Sequence, residues 1–138
     1  MTEFLWPVRV YYEDTDSGGV VYYANYLRFM ERARTEWLRS LGFEQDELLV
    51  RDSVLFAVRS AQVDYLKPAR FNDLLTVRTS LQRRGRASLT FKQNIVRNSD
   101  DALVCTATVK IANLNAATLR PVPMAPRILA SIPEDVNP

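Results

Sequence analysis

Two carboxylates, Asp14 and Asp16, stand in the run Glu13-Asp14-Thr15-Asp16-Ser17-Gly18-Gly19, just ahead of a stretch with helical periodicity. A helix start leaves its first backbone N–H groups unpaired and carries the positive end of the helix dipole. A carboxylate beside such groups can attack a carbonyl carbon, or draw a proton from water, while the N–H groups take the developing oxyanion. The same residues can also do something plainer, because an aspartate ahead of a helix commonly caps it or closes its loop. On local physics both roles stand.

Histidine is absent from the chain. That excludes Ser-His-Asp and Cys-His catalysis, imidazole general bases, and most zinc and non-haem iron sites. The chemistry must then run on carboxylates, hydroxyls, cations or backbone, and no metal or organic cofactor is expected. The single cysteine, Cys105, permits no intrachain disulfide and suits a reducing compartment. Its alternation with Leu103 and Ala107 places it on an inward strand face, as a small apolar group.

Eighteen Lys and Arg against 16 Asp and Glu leave a net charge of +2, too weak a field to call for nucleic acid or an anionic membrane. The competing class is a nucleic-acid module built on Arg83, Arg84 and Arg86 with Phe71 and Phe91. It would bind with steep salt dependence, but the chain lacks a glycine-bearing aromatic sheet signature. The early apolar stretch Phe4-Leu5-Trp6-Pro7-Val8 is too short for a signal-peptide core, and no run approaches a membrane span. A cytoplasmic location is expected.

The elements that must position Asp16 follow from periodicity. Phe4, Trp6, Val8, Val10 and Tyr12 recur every second residue, which predicts a strand over Glu3–Tyr12, at an edge because of Pro7. From Tyr22 to Leu41 the period becomes helical, with Tyr23, Tyr26, Leu27, Met30, Ala33, Trp37, Leu38 and Leu41 on one face and Gly42 as a stop. Arg32 with Glu36, and Glu31 with Arg34, are spaced to pair along it. A short helix is expected over Gln45–Arg51, then a strand over Val54–Leu66.

Three further alternating faces follow: Leu75, Val77, Thr79, Leu81; then Leu89, Phe91, Gln93, Ile95; then Leu103, Cys105, Ala107, Val109, Ile111. Short turns at Arg83-Arg84-Gly85-Arg86 and Asn98-Ser99-Asp100-Asp101 make them antiparallel hairpins. The tail with Pro121, Pro123 and Pro126 leaves the sheet. The result is an α+β domain spanning 1–138, in which an antiparallel sheet buries one face on one long helix.

The segment Tyr11-Tyr12-Glu13-Asp14-Thr15-Asp16-Ser17-Gly18-Gly19-Val20-Val21-Tyr22-Tyr23-Ala24-Asn25-Tyr26, continued by Glu31-Arg32-Ala33-Arg34-Thr35-Glu36, closely resembles the 4-hydroxybenzoyl-CoA thioesterase family, especially its Tol-Pal-associated acyl-CoA thioesterase branch. The resemblance covers about Val8 to Ala112. It implies a hotdog fold, assembled as dimers and often tetramers with active sites between subunits, that hydrolyses short aliphatic or aromatic acyl-CoA.

The family's essential aspartate falls on Asp16, as nucleophile or general base, with Asp14 as a supporting loop residue. Gly19 to Tyr23 matches the segment whose N–H groups polarise the thioester carbonyl. Arg84 and Arg86 match basic residues that contact the CoA phosphates, although a solvated turn is the plainer role for an arginine hairpin. Tyr23 stands where the Tol-Pal-associated branch commonly has histidine. Its hydroxyl can orient substrate, or its ring can fill space beneath the helix start. A non-hydrolytic acyl-CoA-binding hotdog protein is the alternative on the same fold.

Overall fold

In the computed structural model, which describes residues 3–132, the N-terminal alternation forms β1, Phe4–Arg9. It stops short of the expected Tyr12. The chain instead turns through a 3₁₀ segment, Tyr12–Asp14, closed when Tyr11 N–H donates to Asp14 Oδ2 at 2.8 Å. An aspartate that accepts from the backbone three residues earlier offers the chain an alternative to the ladder, and here it wins.

Then come α1, Tyr23–Ser40, and α2, Gln45–Asp52, followed by β2, Val54–Tyr65; β3, Leu74–Arg84; β4, Ser88–Arg97; and β5, Ala102–Asn115. A last short helix, α3, Pro126–Ser131, starts on a proline in the tail that was expected only to leave the sheet. The strands form one antiparallel sheet in the order β1-β3-β4-β5-β2. Pro7 lies on an edge strand, where its missing N–H breaks no ladder between two neighbours.

The helix ends as its sequence predicts. Gly42 takes a φ of +97°, its N–H bonds the carbonyl of Arg39 at 2.9 Å, and Phe43 N–H bonds that of Leu38 at 3.2 Å. These two bonds satisfy carbonyls that the last turn would otherwise leave open.

The sheet wraps α1. Tyr26, Phe29, Met30, Ala33, Trp37 and Leu38 are buried against Leu75, Val77, Leu89, Phe91, Ile95, Ala107 and Val109. Trp37 meets Phe91 edge to face at 5.1 Å. The buried face is turned relative to the expected one: Phe29 is fully buried, whereas Tyr23 and Leu27 are exposed. The helix packs most closely over β3 and β1, which rotates Tyr23 and Leu27 toward the open side beside β2.

Two further expectations are corrected. In β5 a register shift opposite Ile95 and Val96 turns Val104 inward with Cys105, leaving Leu103 38% exposed. One extra residue in a strand moves its neighbour to the other face. On the helix, Glu36 pairs with Arg39 rather than Arg32, and Arg34 turns away from Glu31 to donate to Gln93 Oε1 at 2.9 Å. The latter bond reaches a buried polar network, which a surface pairing rule does not foresee.

Candidate active site

The loop between β1 and α1 is fixed from three sides. Asp14 is 7% exposed and uses both carboxylate oxygens: Oδ2 accepts from Tyr11 N–H at 2.8 Å, and Oδ1 accepts from Asn25 Nδ2 at 3.1 Å. Its main-chain carbonyl takes Tyr22 N–H at 2.9 Å. Val21 N–H donates to Ala69 O at 2.8 Å, and Ala69 N–H donates to the Tyr26 hydroxyl at 3.0 Å. Asp14 therefore locks the loop onto the first turn of α1, and Ala69 locks both onto the segment before β3.

Asp16, by contrast, faces solvent. Its Oδ1 accepts from Gly18 N–H at 2.9 Å, and its main-chain carbonyl accepts from Gly19 N–H at 3.0 Å, in a tight turn that Gly19 completes at a φ of +78°. A Cβ at Gly19 would meet nothing within 4 Å, so it is the backbone conformation that favours glycine here. The second carboxylate oxygen of Asp16 accepts no bond from the described chain. It is oriented by the turn and left open for chemistry.

The helix start supplies the donors. Tyr22 and Val21 N–H are committed to Asp14 and Ala69, and Asn25 N–H reaches back to Tyr22 O at 2.8 Å. Within the described residues, Tyr23 and Ala24 N–H have no partner, and no side chain caps the helix. Gly19, expected among the carbonyl-polarising groups, has its N–H occupied by the turn. Its contribution in the structure is to shape the loop.

Tyr23 is 59% exposed, which makes it no buried spacer. Its ring meets Tyr22 at 4.8 Å and, edge on, Tyr65 at 5.9 Å. With Val21, Tyr26, Leu66, Lys67 and Pro68, Tyr23 and Tyr65 line a cleft of about 240 Å³. Burial raises the phenols of Tyr26 and Tyr65 above their ordinary value, so at neutral pH they are hydrogen-bonding hydroxyls and not bases. Asn25 belongs to the segment that carries the resemblance but had no role assigned from sequence, and Tyr65 was not singled out, because it reaches the site only through pairing distant in sequence.

Arg84 and Arg86 lie elsewhere. Arg84 pairs with Leu89 and Val54 with Asn115 at one end of the sheet, while Tyr65 pairs with Cys105 at the other. The ten residues of β4 run the length between these ends, roughly 30 Å. In one chain the hairpin arginines and Asp16 are therefore not brought together. Arg84 Nη1 also donates to Leu129 O at 3.1 Å, tying α3 to the hairpin, whereas Arg86 stays exposed. Cys105 is buried, its thiol pushed up to about 12 mainly by desolvation, and it takes no part in the site. Among the described residues there is no cluster of potential metal ligands, and no helix is long and apolar enough to cross a membrane.

A five-stranded antiparallel sheet wrapped around one long helix, with a carboxylate loop at the helix start, defines the hotdog class. Comparison with known proteins makes the assignment particular. Residues 10–132 match the family model of the thioesterase-like superfamily, and the chain belongs to that family. It is similar to the acyl-CoA thioesterase YbgC of Haemophilus influenzae, 44% identical over 128 residues that cover 93% of each chain. Among solved structures it is similar to a probable thioesterase from Bartonella henselae, with a TM-score of 0.84, 35% identity and coverage of 90% and 100% of the two chains. A 4-hydroxybenzoyl-CoA thioesterase in complex with 4-hydroxybenzoyl-CoA shares the fold at a TM-score of 0.87 and 19% identity, covering 94% and 97%.

Proposed function

We propose that this chain hydrolyses short aliphatic or aromatic acyl-CoA thioesters, with Asp16 as nucleophile or general base and the Tyr23 and Ala24 N–H groups as the oxyanion site. The observation that carries the reading is the pairing of an open carboxylate oxygen on Asp16 with two unpartnered donors at the adjacent helix start. A thioester carbonyl drawn onto those N–H groups gains positive character at carbon. Asp16 then forms a mixed anhydride that water opens, or takes the proton from an attacking water; either way the CoA thiolate leaves and is protonated. Tyr23 orients the acyl group from the wall of the cleft. The similarity to YbgC acyl-CoA thioesterases supports the substrate class, and the Asp16 segment supports the Tol-Pal-associated branch within it.

The functional unit in this proposal is a homo-oligomer, a dimer or a tetramer. Among the described residues β2 pairs with β5 alone, so the other edge of this twelve-residue strand, with exposed Val58 and Ala61, lies open. An open edge of this length is a template for another strand. Antiparallel pairing of β2 with its copy about a twofold axis reverses the ends of the two sheets. The partner's arginine hairpin then comes to the end that carries Asp16, which gives Arg86, and the unbonded side of Arg84, a route to the CoA phosphates.

The test is release of free CoA thiol from a panel of acyl-CoAs, wild type against Asp16→Asn. Hydrolysis by the wild type and a loss on the order of a hundredfold or more in the variant, with unchanged thermal unfolding, is the expected result. Normal turnover by Asp16→Asn would remove Asp16 from the mechanism. Retained acyl-CoA binding without hydrolysis of any thioester would favour the non-hydrolytic reading.

A further inference from the structure

We infer that Arg34 forms a recognition point for a carboxylate at the far end of the acyl group, so that the preferred substrates are dicarboxylic acyl thioesters. The inference rests on the thioesterase reading and narrows its acyl group. Tyr23, Leu27 and Arg34 fall on one stripe of α1, since eleven residues make just over three whole turns. Because the helix leans over β3 and β1, this stripe borders a groove beside β2. The groove holds a cavity of about 430 Å³ lined by Leu27, Arg28, Glu31, Arg34, Val58 and Ala61, with Val109 at its floor. It begins one turn beyond the Tyr23 and Tyr65 cleft, in line with the carbonyl site.

Leu27, Val58, Ala61 and Val109 make its apolar walls, and Arg28, Glu31 and Arg34 charge its helix side. Arg34 there makes one hydrogen bond, to the neutral Oε1 of Gln93 at 2.9 Å, and no carboxylate lies within 4 Å of it among the described residues. Gln93 cannot turn to do more, because its Nε2 donates to Met30 O at 3.0 Å and to Thr79 Oγ1 at 2.9 Å. Burial pulls the guanidinium below its usual range, with only partial relief from the field of Glu31. The groove thus presents two guanidinium groups against one carboxylate. A half-desolvated arginine lacking a close counter-ion gains most from an entering carboxylate, which its planar fork can bind through two bonds.

The span sets the chain length. From the Ala24 N–H group to Arg34 the helix rises about 15 Å, and a helical side chain leans back toward the N-terminus, which leaves room for an acyl chain of roughly six to eight carbons. The experiment compares kcat/KM for adipyl-CoA and suberyl-CoA with hexanoyl-CoA and octanoyl-CoA, in wild type and Arg34→Gln. The wild type is expected to prefer the dicarboxylic member of each pair by about tenfold or more, and Arg34→Gln to bring that ratio close to one, chiefly through KM.

A wild type that prefers the monocarboxylic partner overturns the inference without needing any variant. So does an equal loss on both members in Arg34→Gln accompanied by dissociation in sedimentation, which would assign Arg34 to contact between copies. Calorimetry with non-hydrolysable thioether analogues of adipyl-CoA and hexanoyl-CoA separates the two layers. If no thioester is cleaved, the catalytic reading fails; if the two analogues bind alike, the recognition by Arg34 fails.

Discussion

Within one loop, two aspartates two residues apart hold opposite positions. Asp14 is buried with every acceptor used, and Asp16 is exposed with one oxygen open. A buried carboxylate left without its donor is costly, by about 1–3 kcal/mol or more, so the Asp14–Asn25 bond is a point where loop geometry can be released without touching Asp16. Asn25→Ala is expected to lower kcat by about tenfold or more with a smaller change in KM, because the donors at the helix start lose their setting against the carboxylate. Steady-state kinetics with thermal unfolding on the same preparation checks it. A fall in stability alone, with kcat intact, would make Asn25 a purely structural residue. On local physics the two aspartates were legible only as a pair of alternatives, and it was the resemblance that put chemistry on Asp16 and support on Asp14. Burial, which separates them, depends on where the segment around Ala69 lands.

Among the elements, α1 is the one on which the site depends, and its ends are secured by different means. The N-terminal end has no side-chain cap and is held by the loop through Asp14 and Ala69; the C-terminal end is held by Gly42 and Phe43. Gly42→Ala places a side chain at a φ of +97°, in space that is otherwise empty, so the expense is conformational and about 1–2 kcal/mol. Chemical denaturation should show that loss with activity per folded molecule unchanged, since the site lies at the opposite end of the helix. A matching drop in specific activity would mean that the two ends are coupled. The helix stop, the alternation of β3 and β4 and both hairpins were readable from sequence because each is set by neighbours within a few residues. The rotation of α1 was not, because only packing over β1 and β3 decides that Phe29 goes in and Leu27 stays out.

For the whole molecule, the distance between Asp16 and the arginine hairpin is the fact with the largest consequence. Roughly 30 Å of sheet separates groups that the resemblance assigns to one ligand, and the open β2 edge offers the way to bring them together. In the proposed twofold dimer each site would take its carboxylate from one chain and its phosphate contacts from the other. Asp16→Asn and Arg86→Ala, each weak alone, should therefore complement when unfolded together and refolded as a mixture. Half of randomly assembled dimers carry one chain of each kind. In those, one site has lost both groups and the other keeps both, so recovery of about a quarter of wild-type activity is expected. No recovery, in a mixture that sedimentation shows to have exchanged subunits, would place both groups in the same chain's site or remove Arg86 from it. Recovery would explain why a single chain reads from sequence as a complete thioesterase while the groups that the resemblance assigns to one ligand lie far apart in it.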